Sequence, residues 1–545
     1  MRTKEGQRAR WVARFSPDVV LLLTAAAMIS IWLVVAIGHL GDRYQLTHVS
    51  GEWIGLAHYA RDGVLYPPTY AGGFYGGTRY GAVPIALHTL GYALTADPIL
   101  SGKLLSAVGM ALLLAGMALL VRRSGGGVGL SALTGAAMLA TSYGWMAGVN
   151  IGADALATAL QVLAILAAHA GITRGSAWRG PIVAALLCAL AFFVKANAVA
   201  ATLGIGAYYL LYDRRSLIRF LVAGTLSGLI ALSIVSVCSA GRVLDNYREV
   251  LFAGRSAGSL LNPAALARSA LVIIFGVAKF APEIWALVPI GVLVVALCLA
   301  RRRPSLVQVC ATAAAPLATA VFTNPGIDFN HLLDLQALLL LVVAEAAAVA
   351  GAPATGEPGA SKAGPAPLPG GLAVLGAASL LWLSVTTFWV SGRVGEARQV
   401  LVRWSGRVVA SDASLDPASW RTEFRASDRV LSSDASIPVL MGQRPTVLNS
   451  FMLKVITDEN RDARDALVRR LDAGEFDAIV SVVGLDEHWS NAKLREVEWG
   501  PAIADAIDRN YRLAGRFWGY AVYRPRSSPE AAPRAAGTSP GADGR

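Results

Sequence analysis

Charge is what this sequence has least of. Of its 545 residues only 15% are charged, whereas soluble domains carry about 25%. A chain this long and this poor in charge has too little polar surface to face water all round, which excludes an ordinary soluble protein. The mean hydropathy of +0.51 points the same way. Cysteine is also scarce. Cys188, Cys238, Cys298 and Cys310 all lie within or at the edge of apolar stretches, with no spacing that suggests a disulfide frame or a metal site. They read as small packing residues, and the outward-facing parts must fold without disulfides.

A net charge of +12 raises the question of nucleic acid. The placement of the cations answers it. Arg122-Arg123, Arg214-Arg215 and Arg301-Arg302-Arg303 abut apolar segments, as expected where positive charge is kept on the cytoplasmic side of membrane helices. No basic stripe with interleaved aromatics exists, so no nucleic-acid partner is expected.

A span needs roughly 20 apolar residues. Residues 1–18 are basic and read as a cytoplasmic N-terminus, followed by an uncleaved first span over Val19–Ile37. Further spans are predicted at Ile99–Val121, Val128–Ala147, Ala155–Ile172, Pro181–Val194, Val199–Leu211 and Leu217–Val237. Four more follow at Ile284–Leu299, Leu306–Phe322, Leu332–Ala350 and Leu372–Val390. Ala82–Leu94 and Leu271–Phe280 read as interfacial. With about eleven transmembrane helices every multi-Arg cluster falls inside.

The chain thus divides into a membrane domain over 19–391 and a soluble α/β domain outside over 392–525. Within the first lie an outer loop, 41–80, and a flexible cytoplasmic linker, 351–370, rich in Pro, Gly and Ala. In the second, strand signals at Arg429–Leu431, Phe476–Val483 and Tyr520–Tyr523 flank a helix over Asp458–Leu471. The Pro- and Gly-rich tail, 526–545, is expected to be disordered.

Ionisable residues beside a membrane core are costly and are functional candidates by default. Three stretches on the predicted outer face collect them. The 41–80 loop holds Asp42, Glu52 and Asp62, with Arg43, Arg61 and Arg79 among them, besides Trp53 and six tyrosines that include Tyr80. A carboxylate there can take a proton from a hydroxyl and an arginine can clamp a phosphate, although solvated charges and an aromatic belt would look similar. Asp154 stands where a loop turns into a span, either as a helix cap or as a site residue. Asp328, Asn330, His331 and Asp334 crowd another junction, reading as a polar cleft wall or a solvated surface. They lack the second cluster a metal site needs. Lys195, next to Asn197 at the predicted outer interface, either snorkels to water or binds phosphate.

These stretches carry a resemblance. GEWIGLAHYARDGVLYP (51–67), IGADALATAL (151–160) and DFNHLLDL (328–335) resemble segments of the GT-C glycosyltransferases, the polytopic enzymes that use polyprenyl-phosphate sugars and include aminoarabinose and protein-mannosyl transferases. Gly152-Ala153 stands where that class often has a basic residue, and an adjacent Asp-Glu pair is lacking in the loop. The resemblance implies sugar transfer from a polyprenyl-phosphate carrier to an acceptor hydroxyl on the outer face, with inversion. Asp42 or Glu52 would be the base. Arg43, Arg79, Tyr80, Asp154, Lys195, Asn330 and His331 would bind substrate, with no cofactor and no obligatory metal. The acceptor, whether glycan, lipid or protein, stays open. A transporter or a flippase-like assembly protein would share the topology. Transporters, however, tend to place charge at mid-membrane in repeated halves, and no repeat is visible. A reporter fused after Val390 is expected to signal an outside location; a cytoplasmic signal would overturn the topology.

Overall fold

The computed structural model describes residues 17–78, 80–173, 178–248, 262–280, 288–300, 304–323, 329–351, 370–405, 416–482 and 498–527. The basic N-terminus, Arg79, Arg301-Arg302-Arg303, Asp328, and nearly all of the 351–370 linker and the C-terminal tail lie outside them.

Helices dominate up to residue 404. In chain order they are α1 (Pro17–Gly38), α2 (His48–Arg61), α3 (Ala82–Thr95), α4 (Pro98–Arg123), α5 (Val128–Ala140), α6 (Ser142–Val149), α7 (Asp154–Thr173), α8 (Arg179–Val194), α9 (Ala200–Tyr212) and α10 (Arg214–Cys238). After α11 (Arg242–Asn246) come α12 (Pro263–Phe280), α13 (Val288–Ala300), α14 (Leu306–Val321), α15 (Leu333–Gly351), α16 (Gly370–Val390) and α17 (Arg393–Trp404). A two-stranded hairpin, β1 (Tyr70–Ala71) with β2 (Phe74–Tyr75), sits between α2 and α3.

Most helices fall where the apolar runs predict. Local chemistry fixes their ends. Asp97 caps α4, accepting from the Ile99 and Leu100 N–H groups at 2.8 and 3.1 Å, with Pro98 in the first turn where its missing N–H costs nothing. The predicted Val128–Ala147 span is instead broken into α5 and α6. Thr141 is extended there (ψ 145°), and its hydroxyl caps the Gly144 N–H at 3.0 Å. Thr141 thus ends one helix and starts the next. The segment read as interfacial from Leu271 starts earlier, at Pro263.

Five described helices have the length and apolarity to cross a bilayer: Pro17–Gly38, Pro98–Arg123, Asp154–Thr173, Arg214–Cys238 and Asn330–Ala348. A sixth arises if Val374–Trp389 and Arg393–Trp404, bent by 52°, count as one span. This is fewer than the eleven runs read from sequence, because several runs form shorter helices. The 16 residues of α8, for example, reach about 24 Å at about 1.5 Å per residue, against a hydrocarbon core of about 30 Å. The chain is a multi-pass membrane protein. Of these five helices α10 is the least packed against the rest of the protein and Asn330–Ala348 the most.

Beyond residue 416 a four-stranded mixed sheet appears, in the order β3 (Val430–Ser432), β4 (Ala478–Ser481), β6 (Tyr520–Pro525), β5 (Tyr511–Phe517). β3 and β4 run parallel and the other pairs antiparallel. Helices α18 (Ser419–Glu423), α19 (Ser436–Leu440), α20 (Ser450–Glu459), α21 (Arg461–Asp472) and α22 (Pro501–Asn510) accompany it. The helix predicted over Asp458–Leu471 is α21, which starts three residues later because Asn460 ends α20 and caps α21, accepting from the Ala463 N–H at 3.0 Å. Strand β5 was not foreseen.

The first loop and this C-terminal lobe share one core. Trp53, Ile54 and Leu56 of α2 bury against Trp420, Phe424, Ala435 and Leu448. The hairpin joins the lobe through its backbone, with Tyr75 N–H donating to Thr446 O (2.8 Å) and Leu448 N–H to Tyr75 O (3.0 Å). Asp434, fully buried, sits at the centre. It accepts from the Ser436 N–H (2.9 Å), the Ser436 hydroxyl (2.7 Å) and the Tyr520 hydroxyl (2.6 Å), and pairs with Arg43 Nη2 at 3.4 Å. The Arg43 guanidinium also lies over the Trp420 and Tyr520 rings, 5.1 and 5.4 Å from their centroids.

Removing one member of a buried pair strands the other charge, at about 3–5 kcal/mol. Arg43→Ala is therefore expected to lower the thermal midpoint in detergent and to speed amide exchange in both 48–61 and 430–450. Unchanged exchange in the second segment would show that Arg43 does not tie the lobe down.

Candidate functional site

Glu52 lies one turn into α2, and its carboxylate is buried, with 2% of the residue exposed. Thr78 Oγ1 donates to Oε1 at 2.8 Å and Asn449 Nδ2 to Oε2 at 2.5 Å. Thr78 is held in turn by its own N–H, which donates to Asn246 Oδ1 at 2.9 Å. Donors from two distant parts of the chain thus converge on this acid, and a third part, through Asn246, holds one of them. Gly51, the residue before it, allows the approach: a Cβ there would come within 2.0 Å of Asp434 Oδ1.

From Glu52 a chain of contacts leads to the membrane helices. The Trp53 ring stacks on Tyr80 with centroids 4.0 Å apart, and Tyr80 forms a backbone bridge with Lys195 at the end of α8. Gly81 makes that bridge sterically possible, since a Cβ at this position would come within 1.8 Å of Phe193 O. Lys195 Nζ then donates to Asp154 Oδ1, and Asn330 Nδ2 donates to Asp154 Oδ2 at 3.2 Å. His331 Nδ1 contacts Asn197 Nδ2. Asp154 spends its oxygens on these side chains rather than capping its helix. Lys195, 9% exposed, is paired with it rather than reaching for water. The three polar stretches singled out by sequence therefore meet.

Asp42 belongs to a neighbouring cluster. Its Oδ1 accepts from the Tyr44 N–H (2.9 Å) and faces Lys103 Nζ (3.4 Å), while Oδ2 meets His39 Nδ1 at 2.6 Å. Lys103, on α4, also donates to the His39 and Tyr44 carbonyls at 2.6 and 3.0 Å. Burial pushes the Asp42 pKa up, but the His39 hydrogen bond and the charge of Lys103 outweigh it and hold the carboxyl below its usual 3.8. Asp42 thus pins the end of α1 to α4. Ser106, one turn beyond Lys103, donates to Gly152 O at 3.0 Å, so the two clusters share a frame.

Arg43, expected at a substrate phosphate, is instead sealed against Asp434 and two aromatic rings, with 7% exposed. Arg79, expected beside it, lies outside the described residues. Thr78, Asn246, Asn449 and Lys103 were missed. The three neutral residues carry no sequence signal of their own, whereas a lysine within an apolar run was detectable as an intramembrane charge. Among the described residues no three His, Cys, Asp or Glu side chains gather as a metal site.

Comparison with known proteins places this geometry. Residues 82–239 match the family described as dolichyl-phosphate-mannose-protein mannosyltransferase. This segment, less than a third of the chain, includes Asp154 and Lys195. No curated protein matches in sequence. Among solved structures the fold is similar to ArnT from Cupriavidus metallidurans in the apo state (14% identity, TM-score 0.55, 95% of this chain and 98% of that one). ArnT bound to undecaprenyl phosphate is similar at 12% identity and a TM-score of 0.53, over 93% and 98%. The Archaeoglobus fulgidus oligosaccharyltransferase, in complex with Zn and sulfate, is similar at 12% identity and a TM-score of 0.50, over 89% and 71%. The family match is thus confined to 82–239, and over nearly its whole length this polytopic membrane protein has a fold similar to that of ArnT and of the archaeal oligosaccharyltransferase.

Proposed function

We propose that this protein moves a sugar from a polyprenyl-phosphate carrier to an acceptor hydroxyl on the outer face of the membrane, with inversion at the anomeric carbon. The N-terminus is cytoplasmic in this reading, and the soluble α/β domain over 392–525 lies outside. The observation that carries the reading is the buried Glu52 carboxylate, joined through Trp53 and Tyr80 to the Lys195–Asp154–Asn330 cluster, of which Lys195 and Asp154 lie inside the family-matched segment. That ArnT is known bound to undecaprenyl phosphate supports a polyprenyl carrier.

Glu52 takes the proton from the acceptor hydroxyl. The acceptor oxygen bonds to the anomeric carbon from the face opposite the phosphate, and the bond to the phosphate oxygen breaks with its electron pair leaving on the lipid phosphate. Lys195 has three N–H donors, and Asp154 and Asn330 orient it so that others reach the leaving phosphate. Arg79, beside Thr78 in sequence, is the second cation and offers two parallel donors. Fixed donors aimed at growing charge are the main source of rate in such a site. Tyr80 and His331 line the cleft. Glu52 is preferred to Asp42 because Asp42 already serves as the anchor between α1 and α4.

Deleting the gene and identifying the lipid-linked sugar that accumulates, by mass spectrometry, names the donor; no accumulation would sink the reading. Glu52→Gln is expected to fold and to lose about 10²–10⁴-fold in transfer, failing to clear that intermediate in the deletion strain. Full clearance would remove Glu52 as the base. Asp42→Asn should instead act on stability. The carboxyl titrates lower when folded, so its contribution is complete above the unfolded value of 3.8 and fades as pH falls through the folded value. The wild-type advantage in thermal midpoint should hold from about pH 5 upward and shrink only below about pH 4. An Asp42→Asn protein as stable as wild type but inactive would return the base role to Asp42.

A further inference from the structure

The C-terminal lobe touches Glu52 at one side chain whose orientation is fixed. Asn449 precedes α20 and caps it, its Oδ1 accepting from the Met452 N–H at 3.1 Å. An amide whose oxygen is committed in this way must turn its NH2 elsewhere, and Nδ2 lies 2.5 Å from Glu52 Oε2. Exchanging the two ends of the amide would set an oxygen against a carboxylate and a donor against an N–H. The cap therefore fixes which end of the amide faces Glu52.

Asn449 is itself held by its surroundings. It pairs with Asp434 through a backbone bridge, and Val447 and Leu448 before it are fully buried. Asp434 in turn holds Arg43 of the first loop. The residue meeting Glu52 from the lobe is thus tied to a rigid sheet and, through Arg43, to the far end of the same loop.

We infer that Asn449 is a positioning residue for Glu52, so that the C-terminal lobe completes the proton-accepting site rather than merely covering it. The inference rests on the reading of Glu52 as the base. Thr78 fixes one carboxylate oxygen and Asn449 the other; together they set the plane of the carboxylate that meets the acceptor hydroxyl. A hydrogen bond to a charged group is strong enough that its loss is expected to slow transfer roughly 10- to 100-fold.

Asn449→Ser separates the two jobs of this side chain. Serine is as good a helix cap but is too short to reach Glu52. The full-length variant should keep its thermal midpoint within about 3 °C. Its Glu52 carboxylate stretch, identified by infrared difference against Glu52→Gln, should shift. Clearance of the accumulated lipid-linked sugar in the deletion strain should fall by the stated factor. Should the serine variant fold poorly, Asn449→Asp keeps the cap and replaces the donor with a second carboxylate; the same loss is expected. An unshifted band, or wild-type clearance by either variant while Glu52→Gln stays inactive, overturns this inference alone. The reciprocal pair Glu52→Gln with Asn449→Asp rebuilds the hydrogen bond with its polarity reversed. It should restore stability but not transfer. If it restores transfer, Glu52 is not the base, and the larger reading falls with it.

Discussion

A carboxylate taken out of water must be given donors by the protein, and the first loop and the C-terminal lobe are arranged around two that have been. Asp434 has no exposed surface and receives Ser436, Tyr520 and Arg43. Glu52 receives Thr78 and Asn449. An unpaired charge in either place would cost several kcal/mol, more than most single contacts return. The loop and the lobe are therefore bound to each other by the need to satisfy these groups. Burial of Tyr520, with the Asp434 charge beside it, pushes its phenol pKa well above 10, which keeps it a donor to Asp434 at any ordinary pH.

The membrane helices supply the other wall through a different device. Lys195 and Asp154 stand at the ends of neighbouring helices, α8 and α7, and Asn330 reaches Asp154 from the turn before α15. Each lies at or beside a helix end, where the backbone has unsatisfied groups. Charges held at helix ends need not sit in the middle of an apolar span, where they are costly. Asp42 and Lys103 add a brace between α1 and α4 without joining that wall directly.

Much of this was legible in the residues. Polytopic character followed from the scarcity of charge. Asp154, Lys195 and Asn330 drew attention because ionisable and amide groups are conspicuous among apolar neighbours, and they do come together. What remained hidden has physical reasons. Thr78 and Asn449, and Asn246 behind Thr78, are neutral, short and common in loops, so nothing in their spacing ties them to Glu52. Arg43 looked like a phosphate ligand because sequence shows a charge but not its counter-charge, which lies 391 residues away at Asp434. Strand β5 escaped because a register shift between Leu513 and Gly515 breaks the alternation that identifies a strand. Thr141 divides a run that hydropathy reads as continuous, since one cap hydrogen bond suffices to end a helix and hydropathy does not record it.

The backbone pairing of Tyr75 with Thr446 and Leu448 has a consequence for biosynthesis. Glu52 and Asn449 are separated by 397 residues, and at ribosomal speeds of about 5–20 residues per second that is roughly 20–80 s of translation. Throughout that interval the hairpin edge and the Glu52 carboxylate are without their partners from the C-terminal lobe, while the remaining helices are still being made. The nascent loop must stay soluble and unpaired until almost the whole polypeptide exists, so truncated products of a stalled ribosome would carry an assembled bundle and no working centre.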